Sequence, residues 1–541
     1  MTNWTVAENG VAETSSAGLF GLPVSRRALL LGGMAAASAP WLLSACSGSS
    51  ATPNAVVSSA AVGIAKKGGK LRVARPPAST AETLDPASSL SAYEYLAALY
   101  SRLVKQAEDG SIAPDLATHW ESSANAMTWT FTLREGVQFH NGKPFTSADA
   151  AYTLKHILDP ATKSPQAGVL EPFVDPTKIS TPDKKTLVVT LKSPNAEFVS
   201  LLMNYNCYVI QDGSAATVGK TGVGTGPFKL VSFEPAGKGS VAANLNYFGD
   251  KPKVDTIEFT AIADVQARVN ALLAQQVDLV AQTNLDFATS KAVQASSSAT
   301  TATVKNAQWY VLPMLTTLPP FKDALVRRAF KLAYQPQEVI DLAIHGLGTV
   351  ANNNPVPPTD PNYLDYKVAP DPEKAKSLLK QAGFSSTEQV LYTSSYDPVL
   401  TPMSLAFQGS VKTAGINIKV QTASADSYYT DVWIKKPFCA SYWYTGRPID
   451  QLLNQIFRAG SSYNETLWAD NSFANILDSA RKQTDAAKRK TLYQDAQRLL
   501  VDSSGSIVPF FADRTIGISK KIVNYKEHGF EFDYINIGFK A

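Results

Sequence analysis

A chain of 541 residues is too long for one ordinary core, so two or more lobes are expected. Hydrophobic residues at 45% and charged residues at 18% are the balance of a soluble globular protein. A net charge of +4 without a long basic run argues against nucleic acid, and five His and three Cys argue against a disulfide framework or a Cys/His metal cluster.

Residues 1–45 read as an export signal, apart from the fold. Arg26 and Arg27 precede an apolar stretch, Ala28–Ala45, rich in Ala, Leu and Gly, a pattern similar to a twin-arginine signal peptide. A general secretory signal is the alternative. Leu43-Ser44-Ala45-Cys46 resembles a lipoprotein cleavage box, with Cys46 as the lipid attachment site. A transmembrane anchor fits less well, because two Gly, a Pro and many Ala make a poor span. Cleavage removes Glu8, Glu13, Arg26 and Arg27, which leaves the charge at +4. Residues 46–69, full of Ser, Ala and Gly, read as a flexible tether.

Lys70–Arg75 alternates as a short strand, and Tyr93–Val104 has helical spacing. Thr128–Leu133 alternates strictly and reads as a half-buried strand. Asn141-Gly142 supplies a tight turn, and Thr146 with Asp149 is expected to cap a helix through Leu158. Thr186–Leu191 is a strand, and Gly222–Leu230 is a glycine-rich turn entering another. It is no phosphate loop, since Pro227 stands where a helix would begin. Asp264–Gln276 is helical and Val277–Val280 a buried strand.

The pattern shifts after Val304. Trp309–Leu315 reads as an apolar strand, and one long helix is expected from Asp323 to about His345, closed by Gly346. Asp371-Pro372-Glu373 opens a helix ending at Gly383. Val390–Thr393 and Ile416–Val420 are strands around a helix, Phe473–Leu500 is helical in two pieces, and Ile507–Phe511 is a buried strand. Helices alternating with short strands mean α/β architecture. Cys207 and Cys439 read as buried free thiols, a pairing left open by sequence alone.

Several blocks then point to one family. Pro114-Asp115-Leu116-Ala117, Trp120-Glu121, Trp129–Gly136, Phe139–Phe145 and Ala148-Asp149 resemble family 5 extracellular solute-binding proteins. Gly224–Phe228, Asn246–Phe248, Arg268–Asp278, Pro320–Ala333, Asp371–Gly383 and Val508–Phe511 follow in the family's order. These are peptide, nickel and opine receptors of ATP-driven importers. The resemblance implies a two-lobed periplasmic-binding-protein fold of type II, with an extra subdomain in the first lobe and a hinge between lobes. It places lobe I at 70–305 with the subdomain at about 117–220, lobe II at 306–502, and a return to lobe I at 503–541. It implies a monomeric lipid-anchored receptor without cofactor or turnover, facing the periplasm or exterior and handing solute to permease subunits of an ATP-binding-cassette importer. A ligand-presenting receptor for a membrane sensor and an extracellular hydrolase are the alternatives. Nothing like GxSxG or HExxH supports the hydrolase, and His119 and His140 lack metal-ligand spacing.

The expected cleft wall is Tyr442, Trp443, Tyr444, Thr445, Gly446, Arg447 and Asp450, because flat rings beside a Gly and a charge suit a ligand surface. The competing reading is that Tyr442 and Tyr444 are simply one face of a buried strand. Tyr93 and Trp309 are further cleft candidates from family geometry. Peptide-binding members carry an aspartate just after a Trp-Thr-Gly-like stretch, where it meets the peptide amine. Here Arg447 follows Thr445-Gly446, so the charge is reversed. Arg447 is expected to meet either a ligand anion or Asp450.

Overall fold

The computed structural model describes residues 61–76, 81–385, 388–425, 427–528 and 531–541. The signal peptide, Cys46 and most of the tether lie outside the described residues. The end of the expected tether is already paired, since Ala65–Lys66 lies antiparallel to Phe539 and Lys540.

A central sheet runs through the body. Its strands lie in the order Ser441–Tyr444, Ala299–Pro313, Phe510–Ser519, Leu279–Val280, Lys70–Arg75, Thr256–Ala261, Lys238–Ala243 and Phe228–Phe233. The long strand Ala299–Pro313 joins the two lobes. Its Ala299 and Ala302 sit in first-lobe cores, and Tyr310, Leu312 and Met314 sit in a second-lobe core. It pairs antiparallel with Phe510–Ser519, with a register shift between Val304 and Gln308 and a positive φ of 50° at Asn306. A bulge bends and twists a strand, so these two crossings carry their irregularity where the lobes part.

The subdomain has its own sheet, Ala117–Ser122, Thr128–Leu133, Thr186–Leu191 and Val174–Asp183, packed around Trp129, Phe131 and Phe198. Its helix Ser147–Leu158 is capped as expected, with the Thr146 N–H donating to Asp149 Oδ2 at 2.8 Å. The second lobe packs helices around the parallel pair Gln389–Ser394 and Ile418–Ala423.

Two expected helices are shorter than their periodicity. The first ends at Leu99, not Val104. Gly224 and Gly226 press on that point, where a Cβ would lie 2.1 Å from Leu99 O and 2.4 Å from Leu99 C. The chain therefore leaves the helix, and Val104–Gln106 becomes a strand. The helix expected from Asp323 to His345 is two helices, Ala324–Leu332 and Pro336–Ile344. Pro336 lacks an N–H and is tolerated at the first turn of a new helix, not inside an old one.

Candidate functional site

The strand Ser441–Tyr444 pairs antiparallel with Gln308–Val311 and so alternates its side chains between two faces. On one face Trp443 stacks on Trp309 at 6.1 Å, and Trp309 on Phe457 at 6.1 Å. Trp309 is fully buried there and lines none of the inter-lobe cavities described below. On the other face Tyr442 packs on Tyr310 and Tyr396. At the end of the strand, Tyr444 is 40% exposed and lines the first chamber described below. Thr445 is buried, its Oγ1 donating to Asn306 O at 2.7 Å and to Ala307 O at 3.0 Å, which ties the strand end to the lobe crossing. Gly446 takes φ 96°, a left-handed conformation that glycine adopts without cost.

That turn folds Arg447 back over its own strand. Its guanidinium lies 5.4 Å from the Trp443 ring, and Nη1 donates to Tyr444 O at 2.9 Å. Desolvation pulls its pKa below the ordinary value, while Tyr205, Tyr463 and Tyr93 hold it up. No carboxylate forms an ion pair with it among the described residues. Asp450, the acid expected as its partner, is spent elsewhere. It is fully buried, accepts from Arg481 Nε at 2.9 Å and Nη2 at 2.9 Å, and from Asn454 Nδ2 at 3.0 Å and Tyr493 Oη at 3.2 Å. An Arg447–Asp450 pair is therefore corrected to an Asp450–Arg481 pair, in which a fork of donors meets a carboxylate two-pronged.

Two chambers meet at Arg447, and a third adjoins the first. The first, of about 350 Å³, is lined from one lobe by Tyr93, Tyr205 and Gln282, and from the other by Tyr444, Gly446, Arg447, Gln451 and Tyr463. Tyr93 and Tyr205 meet edge to face at 4.8 Å. A second, of about 290 Å³, shares Gly446, Arg447 and Pro448 and holds the Glu197–Arg489 ion pair. A third, of about 410 Å³, adjoins the first through Val169, Gln451, Gln455 and Tyr463. Asp450 and Arg481 lie in its wall, already paired.

Sequence reasoning missed Tyr205, Tyr463, Gln282 and Gln451. Gln451 and Gln455 stand four apart on the short helical stretch after Pro448 and line the same chamber as Arg447. His140 serves structure. His140 Nδ1 accepts from the Gly224 N–H at 3.3 Å, its Nε2 lies 3.1 Å from Gly226 O, and burial lowers its pKa to about 4. Cys207 and Cys439 are buried and unpaired.

Two lobes joined by paired strand crossings, with a cleft lined from both sides, are the build of a solute-binding protein. The chain belongs to the bacterial extracellular solute-binding proteins of family 5, whose middle-region profile matches residues 111–464. It is 24% identical over 465 residues to the dipeptide-binding protein DppE of Bacillus subtilis (strain 168), covering 76% of this chain and 80% of that one. Among solved structures it is similar to the substrate-binding protein CtaP of Listeria monocytogenes, at 19% identity and a TM-score of 0.78 over 88% of this chain and all of that one. It is also similar to AgaA of A. tumefaciens R10, solved with agropinic acid, at 24% identity and a TM-score of 0.69 over 87% of this chain and 99% of that one. No helix among the described residues is long and apolar enough to cross a membrane.

Proposed function

We propose that this chain is the substrate-binding lipoprotein of an ATP-binding-cassette importer, capturing a small peptide-like or opine-like solute whose anionic group meets Arg447. The observation that carries the reading is the contrast at Arg447 and Asp450. The arginine lines two chambers of the cleft without an acidic partner among the described residues, and the nearby aspartate is held by Arg481. A guanidinium offers a planar fork of donors that fits a carboxylate. The reading is supported by relatives, since DppE is named for dipeptides and the AgaA structure holds agropinic acid, each a statement about that protein.

On this reading the protein turns nothing over and works as a monomer. Lobe I comprises 70–305 and 503–541, lobe II 306–502, and the lobes close about the bulge at Val304–Gln308. Export follows the twin-arginine route, and lipid on Cys46 holds the protein at a membrane facing the periplasm or exterior. Mass spectrometry of solute released by denaturing the purified protein tests the ligand class. An acidic, peptide- or opine-like solute is expected, and a solute carrying only positive charge would sink the reading. Cys46→Ser is expected to move the protein into the soluble fraction with folding intact. Retention in membranes would mean that something other than lipid holds it.

A further inference from the structure

Five charged side chains line the second chamber: Glu108, Glu197, Asp360, Arg447 and Arg489. Glu108 is paired with Lys526, and Glu197 with Arg489. One acid and one base are left, Asp360 and Arg447, and neither makes an ion pair among the described residues. Both line the same chamber of about 290 Å³, at the small end of ligand pockets.

Asp360 stands in the loop between the strand Gly348–Val350 and the helix Pro372–Gln381. Its backbone fixes a turn there, with the Asp360 N–H donating to Pro357 O at 2.9 Å and the Tyr363 N–H donating to Asp360 O at 3.0 Å. Both side-chain bonds fall on one carboxylate oxygen. Asn362 N–H donates to Oδ1 at 2.8 Å, and Asn362 Nδ2 donates to it at 3.1 Å. Oδ2 accepts none among the described residues, and it stays open to solvent in a half-buried residue. Burial raises the Asp360 pKa, and the Asn362 donors and Lys490, which stands beyond ion-pair distance, offset only part of the rise. The neighbouring acid shows the same excess of negative charge. Desolvation lifts the Glu197 pKa to about 7 against the pull of Arg489, and Asp450 and Asp360 add to the rise. A carboxylate held in a desolvated wall without a cation is costly, and a protonated amine that meets it removes that cost.

We propose that Asp360 is a cation subsite of the cleft, taking the protonated amine of a zwitterionic solute whose carboxylate lies on Arg447. The proposal rests on the anion reading of Arg447 and adds a second charge that the solute carries.

Calorimetry on the full-length protein tests it with two probes, L-leucyl-L-alanine and N-acetyl-L-leucyl-L-alanine, whose amine is blocked and uncharged. The free dipeptide is expected to bind, and the acetylated one to bind about ten- to a hundredfold more weakly, the loss of one charge-assisted contact. Asp360→Asn keeps Oδ1 as an acceptor for Asn362, so the turn stands while the charge is removed. It is expected to bring L-leucyl-L-alanine down to the level of the acetylated probe, and to leave both the acetylated probe and the unfolding midpoint unchanged. A purely structural role for Asp360 would weaken both probes alike. Equal affinity of the unaltered protein for the two probes, equal losses for both in Asp360→Asn, or no binding of L-leucyl-L-alanine overturns the assignment. The two readings fail separately. If Arg447→Ala weakens L-leucyl-L-alanine and Asp360→Asn does not, the cation subsite is wrong and the anion stands. If Asp360→Asn weakens it and Arg447→Ala does not, the anion reading is wrong and the amine still lies on Asp360.

Discussion

At the cleft end of the strand Ser441–Tyr444 a guanidinium rests on an indole and one carbonyl and makes no ion pair among the described residues. One helical turn further, at Asp450, a carboxylate is gripped by Arg481, Asn454 and Tyr493. The two regions are three residues apart and have opposite electrostatics. A charge whose partners are all supplied by the chain holds the fold together. A charge facing a cavity without a partner is complete only when something enters.

The comparison is broken first at the satisfied end. Asp450→Asn removes the charge that pairs with Arg481 and leaves Tyr493 and Asn454 with a neutral amide. Breaking a buried pair by removing one partner is expected to destabilise by about 3–5 kcal/mol, read as a fall in the denaturant midpoint. A loss under 1 kcal/mol would mean that Arg481 finds another partner and that the pair is not structural.

Arg447→Ala probes the other end. It is expected to weaken binding of the co-purified solute by about 2–4 kcal/mol, roughly 30- to 1000-fold, with the unfolding midpoint little changed. Arg447→Lys is expected to restore part of the loss, because the two-pronged geometry is gone. Calorimetry with the eluted solute measures both, and unchanged affinity in the alanine variant would mean that Arg447 does not meet the solute.

A third buried charge lies behind the cleft. Glu94 is fully buried beside Arg75, Glu82 and Glu527, and desolvation raises its pKa to about 7. Its folded pKa stands above its unfolded value, so folding takes up a proton between about pH 4.5 and 7. The stability tied to Glu94 is complete below that window and is lost as pH rises through it. Glu94→Gln is expected to flatten the decline in stability between pH 5 and 8 by about 2 kcal/mol, since one pKa unit corresponds to about 1.4 kcal/mol. An unchanged slope in denaturation curves would place the titration elsewhere.

The motif blocks and the alternation of short strands with capped helices made the fold legible. Capping at Thr146 and Asp371 could be read because those contacts are local in sequence. The break at Leu99 could not, because the glycines that impose it stand more than 120 residues later. The site was legible on one wall. Tyr444, Gly446 and Arg447 follow from a strand that ends in a glycine turn, whereas Tyr205, Gln282 and Tyr463 reach the cavity by tertiary folding alone. The fate of Asp450 was hidden for the same reason, since Arg481 is 31 residues away.

The smallest expected effect separates the two faces of the aromatic strand. Trp309 and Tyr444 were expected as cleft residues on similar grounds, both being large rings near the lobe crossing. Trp309 is buried between Trp443 and Phe457, and Tyr444 stands 40% exposed on the cavity wall. Trp309→Leu is expected to lower the unfolding midpoint and to spare affinity, because its ring fills a core and touches no chamber. Tyr444→Ala is expected to do the reverse and cost about 1 kcal/mol of affinity, roughly fivefold, the scale of a partly exposed aromatic contact. The two variants also read the alternation of the strand pair, since Trp309 packs on its cross-strand partner Trp443, and Tyr444, one residue further, faces the opposite way. If Trp309→Leu weakens binding more than Tyr444→Ala does, the indole stack beneath Arg447 is part of the recognition surface, and the line between core and cleft must be drawn one layer deeper.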